Sequence, residues 1–281
     1  NYSSSGVNKN YLFDHKNVKI IKKDISKFDE LSQVLNKLDI NYVIHAAAHF
    51  ANENSILNPE KDLKTNILGT LNLLKFFKKK KIKKFIYLSS SCVYGEISVA
   101  KENLLLDPYE TPYAISKYAA EKYIKFFRNY YKLNTIIVRV FNTYGPGEIS
   151  HKFRNVIPRF IENSLKGKKL IITGSGNEIR DFTYVDDLAK IISLIIIKRN
   201  IPDIINSCTG KKTKIKLLAK KIIYLTKSKS KIQLKSQRNW DKINNRLGST
   251  LRIKKVLNMK NFTNLDQGLI QTISWYKDQL F

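Results

Sequence analysis

Phe85-Ile86-Tyr87-Leu88-Ser89-Ser90 is the stretch that decides the fold, because an apolar run there ends on two hydroxyl side chains. Similar short runs, rich in β-branched residues and bounded by polar turns, recur along the chain. They cover residues 18–25, 42–48, 135–141 and 204–207. This length and composition predict buried β-strands.

Segments with helical spacing of apolar side chains separate these runs. They cover residues 29–38, 59–80, 111–132 and 185–198. Strands that alternate with helices form βαβ units around a parallel sheet. The sequence therefore predicts the α/β class, with a doubly wound, Rossmann-like sheet.

The alternation loosens after residue 150, which predicts a second, smaller unit. We expect residues 1–150 and 181–207 to form the Rossmann-like domain, and residues 151–180 and 208–281 to form an α/β substrate lobe. Ligands of open α/β sheets bind at the carboxyl ends of the strands. A site is therefore expected in the cleft between the two units.

The composition, 43% hydrophobic and 26% charged, is that of an ordinary globular protein. A formal charge of +28 is typical of nucleic-acid binding, but 42 of the 51 basic residues are Lys, spread over nearly every predicted helix. We therefore expect no nucleic-acid partner. The aliphatic run 191–197 is too short to span a bilayer, and Cys92 and Cys208 form no C-x-x-C pair. These features predict a cytoplasmic protein without membrane, disulfide or metal.

A Tyr and a Lys four residues apart open the predicted helix 111–132, in Tyr113-Ala114-Ile115-Ser116-Lys117. Residues with this spacing share one helical face. The Lys ammonium can lower the pKa of the phenol, which can then take a proton from a sugar or alcohol hydroxyl. A second pair, Tyr118 and Lys122, faces about 140° away on the helix, so only one pair can point into a cleft. Ser90, at a strand end, favours the first.

Further segments follow in order along the chain. They are Asp24-Ile25, His45-Ala46-Ala47-Ala48, Asn66-Ile67-Leu68-Gly69-Thr70, Arg139-Val140-Phe141-Asn142-Thr143-Tyr144-Gly145-Pro146 and Arg180-Asp181-Phe182-Thr183-Tyr184-Val185-Asp186-Asp187. Together with Ser90, Tyr113 and Lys117, this series resembles the extended short-chain dehydrogenase/reductase family. Within that family it is similar to the NAD-dependent nucleotide-sugar epimerases and dehydratases, of the UDP-glucose 4-epimerase type.

The resemblance implies a role for each segment. The catalytic residues would be Ser90, Tyr113 and Lys117. The cofactor would be NAD, contacted by Asp24, Ile25, Ala46, Ala47, Ala48, Asn66, Tyr113 and Lys117. The substrate would be a nucleotide-diphosphate sugar, contacted by Ser90, Asn142, Asn155, Arg180 and Arg238.

Two of these residues, Arg180 and Arg238, would bind the diphosphate, because a planar guanidinium donates two hydrogen bonds to it at once. A purely structural Arg180 would instead pair with Asp181 or Asp187. Arg238 stands in Arg238-Asn239-Trp240-Asp241, which departs from the R-P-G-D of the family. Relatives also pair through helices that correspond to 59–80 and 111–132, so we expect a homodimer.

The reaction stays open between several members of the family. C4 epimerisation through a transient keto sugar is the main hypothesis, with dehydration, decarboxylation or reduction as the alternative. The 4,6-dehydratases carry Asp-Glu after the catalytic Ser or Thr, where this chain has Ser91-Cys92. GDP-fucose synthases share Ser-Ser-Cys, but the His that works with their Cys is replaced by Asn155. Cys92 is therefore expected to be a small packed residue, and His45 a core histidine.

A Gly-rich turn, which holds the pyrophosphate of a dinucleotide, is missing from the sequence. The 11 glycines include no G-x-x-G-x-x-G and no G-x-G-x-x-G. Asn1-Tyr2-Ser3-Ser4-Ser5-Gly6 resembles the loop after a second strand, so we expect the first βαβ unit to be absent. A third hypothesis follows, that of an inactive homologue unable to hold NAD.

Overall fold

The structure is a computed structural model that describes residues 17–151, 153 and 155–280; the expectation on residues 1–6 lies outside this range. Its strands are β1 (Tyr42–His45), β2 (Lys84–Ser90), β3 (Ile97–Ala100), β4 (Thr135–Val140), β5 (Thr143–Tyr144), β6 (Leu170–Thr173), β7 (Ile179–Arg180), β8 (Thr183–Tyr184), β9 (Ile204–Ser207), β10 (Thr213–Lys214), β11 (Ile232–Lys235) and β12 (Asn245–Gly248).

The α-helices are α1 (Phe28–Leu35), α2 (Asn52–Leu57), α3 (Pro59–Asp62), α4 (Gly69–Phe77), α5 (Pro112–Tyr131), α6 (Val156–Leu165), α7 (Val185–Ile197), α8 (Ile215–Thr226), α9 (Leu251–Leu257) and α10 (Leu265–Leu280). A π-helical turn, Leu63–Leu68, joins α3 to α4, and a 3-10 turn, Ser91–Tyr94, follows β2. In the part of the chain that the structure describes, each helix is too short or too polar to cross a bilayer.

The main sheet has the strand order β1-β2-β4-β9, with every neighbouring pair parallel. Successive side chains of β2 point to opposite faces, so Phe85 and Tyr87 pack against α1, α4 and α5, whereas Ile86 packs against α7 and α9. Helices thus cover both faces of a parallel sheet. The predicted α/β, doubly wound fold is confirmed.

A second sheet, in the order β10-β7-β12-β3, lies beside the carboxyl end of the main sheet. Its strand β3 comes from residues 97–100, within the range that the sequence assigns to the first domain. A separate core packs α6, α8 and α10 around β6. The division into two domains stays a prediction.

The predicted strand at residues 18–25 is wrong, because the structure has no strand there. A strand exists only where a neighbour takes up its backbone hydrogen bonds, and no described segment pairs with these residues. Their side chains are correspondingly open, and Val18 and Ile20 are about half exposed. The hydrophobic pattern of one segment cannot show whether another strand pairs with it.

A buried ion pair ties α5 to the main sheet. Arg139 of β4 donates to Glu121 of α5 through Nε, at 3.0 Å from Oε1, and through Nη2, at 2.7 Å from Oε2. Ser89 of β2 donates to the same Oε1 at 2.6 Å. All three side chains are buried, so helix and both strands meet at one carboxylate.

Replacing Arg139 by Met should destabilise the protein, because Glu121 would keep its buried charge without a partner. We expect the free energy of unfolding to fall by about 3–5 kcal/mol, measured by urea unfolding followed by circular dichroism. The double variant Arg139→Met/Glu121→Gln should recover part of this loss, since its buried groups are neutral. A double variant as unstable as the single one would contradict this account.

Candidate active site

A cavity of about 360 Å³ opens at the carboxyl end of the main sheet. One wall comes from residues 50–53 and from the end of β2. The facing wall comes from α6, β7 and residues 237–246. The predicted residues that line it are Ser90, Tyr113, Asn142, Asn155, Arg180 and Arg238.

Ser90 and Tyr113 meet at the bottom of this cavity. Ser90 is the last residue of β2, and its hydroxyl accepts a hydrogen bond from the backbone N–H of Cys92 at 3.1 Å. Tyr113 lies in the first turn of α5, which Thr111 caps by accepting from the Ala114 N–H at 3.2 Å. Both side chains line the same cavity, so both can contact a single hydroxyl of a bound ligand.

The protonation of this pair differs from the expectation. Burial raises the pKa of Tyr113, and the Cys92 thiol raises it further, whereas the bond to Ser90 lowers it. Lys117 donates from Nζ to the Leu88 carbonyl at 2.6 Å and lies 4.2 Å from the centre of the Tyr87 ring. Burial lowers the pKa of Lys117 to about 7. The expected lowering of the phenol pKa by Lys117 is therefore not found in this state.

The residues expected to contact NAD fall into two groups. Ala46 and Ala47 are exposed just beyond β1, where their small side chains leave room for a ligand, and Ala48 is half-buried. Asn66 is fully buried, and its amide donates to the His49 carbonyl at 3.1 Å and to Ser116 Oγ at 2.9 Å. Asn66 thus fixes the loop after β1 against α5, and its contact with NAD stays a prediction.

Asp24 and Ile25 lie further along the edge of the sheet. Asp24 accepts hydrogen bonds from the backbone N–H and the hydroxyl of Ser26, at 2.9 and 2.8 Å. Ile25 packs on Gly69, where an added Cβ would come within 2.6 Å of its side chain. The glycine of the N-x-x-G-T segment therefore permits this close approach.

A His-Asp pair behind Tyr113 was missed by the sequence analysis. His49 Nδ1 lies 2.7 Å from Asp62 Oδ1, and Asn54 Nδ2 lies 2.9 Å from His49 Nε2. The next residue, Phe50, places its ring edge on Tyr113, with 6.0 Å between ring centres. The pair anchors the loop that forms one cavity wall. No group of three His, Cys, Asp or Glu side chains among the described residues could hold a metal ion.

Two asparagines of the substrate set reach the cavity with one contact each. Asn142 donates to the Asp181 carbonyl at 2.9 Å, and Asn155 donates to Glu148 Oε1 at 3.2 Å. Their carbonyl oxygens are acceptors that a sugar hydroxyl can use.

The alternative partners considered for Arg180 are wrong. Arg180 Nη2 lies 3.6 Å from Asp241 Oδ1 rather than beside Asp181 or Asp187. Asp181 instead accepts from the backbone of Thr209 and Gly210, each at 2.9 Å. Arg238 pairs with Glu53 of the opposite wall at 4.0 Å.

Two more arginines, Arg159 and Arg246, line the cavity and were missed. The sequence carried one signal for them, namely that Arg is rare in this chain. Four of its nine arginines line this cavity, and none of its 42 lysines is among the described lining residues. Arginine is the side chain that binds phosphate and carboxylate with two parallel hydrogen bonds.

The structure departs from the expectation for Cys92 and agrees with that for His45. Cys92 was expected to be packed in the interior, but it lines the cavity, with Sγ 3.5 Å from Arg246 Nη1. His45 is a core histidine, as predicted, because its ring is buried and Nε2 lies 2.8 Å from Thr70 Oγ1. Burial lowers the pKa of His45 to about 3, so the ring is neutral.

Comparison with known proteins places this geometry among related chains. Residues 3–208 match the model of the NAD dependent epimerase/dehydratase family. A putative UDP-glucose 4-epimerase of Methanocaldococcus jannaschii is 35% identical over 258 residues, which are 89% of this chain and 81% of the relative.

A dehydratase and a solved structure are similar as well. The dTDP-D-glucose 4,6-dehydratase of Dictyostelium discoideum is 33% identical, over 80% of this chain and 54% of the relative. An epimerase structure from Methanothermobacter thermautotrophicus superposes with a TM-score of 0.92 at 32% identity, covering 98% of this chain and 83% of that one.

The buried Lys117 predicts a pH-dependent stability of the chain without NAD. Its pKa is about 7 when folded and 10.5 when unfolded, so between these values the unfolded chain binds more protons. Stability should therefore rise with pH across this window, by up to about 1.4 kcal/mol per pH unit. Urea unfolding at several pH values measures the slope. Lys117→Met should lose this contribution, whereas the exposed control Lys122→Met should keep the wild-type slope; equal slopes in all three would contradict the assignment.

Proposed function

Because this chain belongs to the NAD-dependent epimerase/dehydratase family, we propose that it epimerises a nucleotide-diphosphate sugar, at C4 and through a transient keto sugar. The observation that carries the proposal is the cavity itself. Ser90 and Tyr113 line it together with four arginines, and Ser91 and Cys92, not carboxylates, follow Ser90 in the chain. The proposal is incompatible with the third hypothesis, that of an inactive homologue unable to hold NAD.

Tyr113 exchanges the proton in this mechanism. As the phenolate it takes the proton of the sugar hydroxyl when the ring carbon is oxidised, and it returns the proton when the ketone is reduced. Ser90 hydrogen-bonds the same oxygen and keeps it beside the phenol. Lys117, on the same face of α5, stabilises the phenolate by its charge when it is protonated.

Ala46, Ala47 and Lys117 would hold the nicotinamide end of NAD, which would supply a reversible hydride acceptor for the oxidation and reduction of the sugar carbon. The described residues fit its nicotinamide end, since Ala46 and Ala47 are small and exposed just beyond β1, and the buried Lys117 carries hydrogen-bond donors on Nζ. Ala48, Asn66, Asp24 and Ile25 extend this set along the sheet edge. The proposal assigns no residue of this chain to the pyrophosphate, because the sequence contains no Gly-rich turn.

The diphosphate of the substrate is assigned to the far wall. Arg180, Arg238 and Arg159 line that wall, and three guanidinium groups can match the charge of one diphosphate. Burial lowers the pKa of Arg159, and the nearby charge of Arg238 lowers it further. A bound dianion would remove this repulsion. Asn142 and Asn155 are then left for the sugar.

The dehydratase alternative needs an acid and a base beside the reacting carbon. Ser91 and Cys92 occupy the positions after Ser90. The carboxylates among the described cavity residues are Glu53, Glu178 and Asp241, and each is already bound to an arginine or to backbone. We therefore propose epimerisation rather than dehydration.

The test is to incubate the full chain with NAD and UDP-sugars and to identify the products by NMR. A C4 epimer of unchanged mass is expected. Tyr113→Phe should lower kcat by about 10²–10⁴-fold. Tyr118→Phe, which removes the hydroxyl from the second Tyr/Lys pair on another face of α5, is the control and should keep wild-type kcat.

The same assay separates the two reactions. A product that has lost one water, with solvent deuterium bound to its carbon skeleton, would establish dehydration and overturn the proposal. Failure of every sugar to react, together with failure of the chain to bind NAD, would support the inactive homologue.

The expected homodimer is proposed on an apolar face of α5. Ile115, Tyr123, Phe126 and Tyr130 lie along this helix with their side chains 41–69% exposed, and Leu63 and Leu68 are exposed on the neighbouring π turn. Monomers rarely expose so many large apolar side chains together. A second copy of the chain would bury them across a two-fold axis.

Replacing both Phe126 and Tyr130 by Glu should convert the dimer to a monomer, because each interface would then bury four carboxylates. Analytical ultracentrifugation measures the mass. Leu105→Glu is the control, since Leu105 is fully exposed elsewhere. A wild-type chain that sediments as a monomer would disprove the proposal.

A further inference from the structure

Arg246 lines the cavity next to Arg180 and also reaches Cys92. It lies on β12, directly beside Arg180 of β7 in the parallel ladder. The strand on the other side of β12 is β3, which follows the turn that carries Cys92. Arg246 Nη1 accordingly lies 3.5 Å from Cys92 Sγ. The order of the strands thus places Arg246 between the diphosphate wall and the reaction centre.

The surroundings of Arg246 leave its charge uncompensated. Arg246 is buried, with 7% of its surface exposed. Its Nε has no hydrogen-bond partner among the described residues, and no described carboxylate lies within 4.0 Å of the guanidinium. The neighbouring Arg180 and Arg238 each have such a carboxylate. A buried guanidinium cannot lose its proton, so it needs an anion.

The proposed function assigns the diphosphate to Arg159, Arg180 and Arg238, so Arg246 is left for another anion. What remains on the substrate beside Ser90 and Cys92 is the sugar ring. We propose that Arg246 binds a carboxylate on the sugar, so that the substrate is a nucleotide-diphosphate hexuronate. This inference rests on the proposed function and specifies its substrate.

A uronate fits this corner in both charge and shape. Its carboxylate is planar and can accept two parallel hydrogen bonds from one guanidinium. Asn52, whose Nδ2 lies 4.0 Å from Cys92 Sγ, brings a neutral donor to the same corner. A sugar with a hydroxymethyl group at that carbon would leave Arg246 buried and unpaired. Such a loss discriminates strongly between two substrates of equal size.

The test compares UDP-glucuronate with UDP-glucose, which differ only in the carboxylate and the hydroxymethyl group. With NAD present, kcat/KM should be at least about 100-fold higher for the uronate. Arg246→Gln should reduce this preference by a similar factor. Arg159→Gln is the matched control, since it should lower kcat/KM for both sugars equally and leave the preference unchanged.

Two outcomes would overturn the inference. One is equal or better turnover of UDP-glucose by the wild type. The other is an equal loss for both sugars in Arg246→Gln, which would make Arg246 a diphosphate ligand. Arg246→Lys, which keeps the charge but not the fork, should retain a reduced preference and replaces the Gln variant if that one does not fold.

A binding measurement distinguishes failure of the proposed function from failure of this inference. If neither sugar is epimerised, the proposed function fails while the inference is still tested by calorimetry. Wild type should bind UDP-glucuronate more tightly than UDP-glucose, and Arg246→Gln should bind the two alike. Equal affinities in the wild type would disprove the carboxylate site.

Discussion

The ion pair between Arg139 and Glu121 is the constraint on which the rest of the site depends. Glu121 belongs to α5, the helix that carries Tyr113 and Lys117, whereas Arg139 and Ser89 belong to the strands that end at the cavity. The buried Glu121 carboxylate therefore fixes the position of α5 along both strands. The positions of the Ser90 and Tyr113 hydroxyl groups follow from it, because Ser90 is the next residue after Ser89 and Tyr113 lies on the same helix as Glu121.

The two kinds of basic side chain are distributed unevenly in this chain. The lysines give most of the net charge, and of those that the structure describes only Lys84 and Lys117 are buried, whereas four arginines line the cavity. A Lys-rich surface attracts anions of every kind. The planar donors of Arg select among them by geometry, so the specificity of the cavity does not depend on the net charge.

Much of the fold could be predicted from the sequence. The strands at residues 85–90 and 204–207 and the helix that starts near Tyr113 are local patterns with strong periodicity, and the structure confirms them. The strand at 18–25 failed because pairing is not a local property. The site was predictable where ordered motifs carried it, as for Ser90, Tyr113, Asn142 and Arg180. Arg246 was not, since only the order of the strands brings it to Cys92.

The pair between Glu53 and Arg238 has a further consequence. These residues belong to opposite walls, and at 4.0 Å they link them across the cavity. Without substrate, the protein thus provides its own counter-ion for Arg238. An incoming anion must displace this carboxylate before it can bind there. A phosphate ion would contact only Arg238 and would have to compete with Glu53. A ligand that also reaches Tyr113 and Ser90 would gain further contacts, which offset the loss of the pair between Glu53 and Arg238. We therefore expect Glu53 to compete with small anions for Arg238.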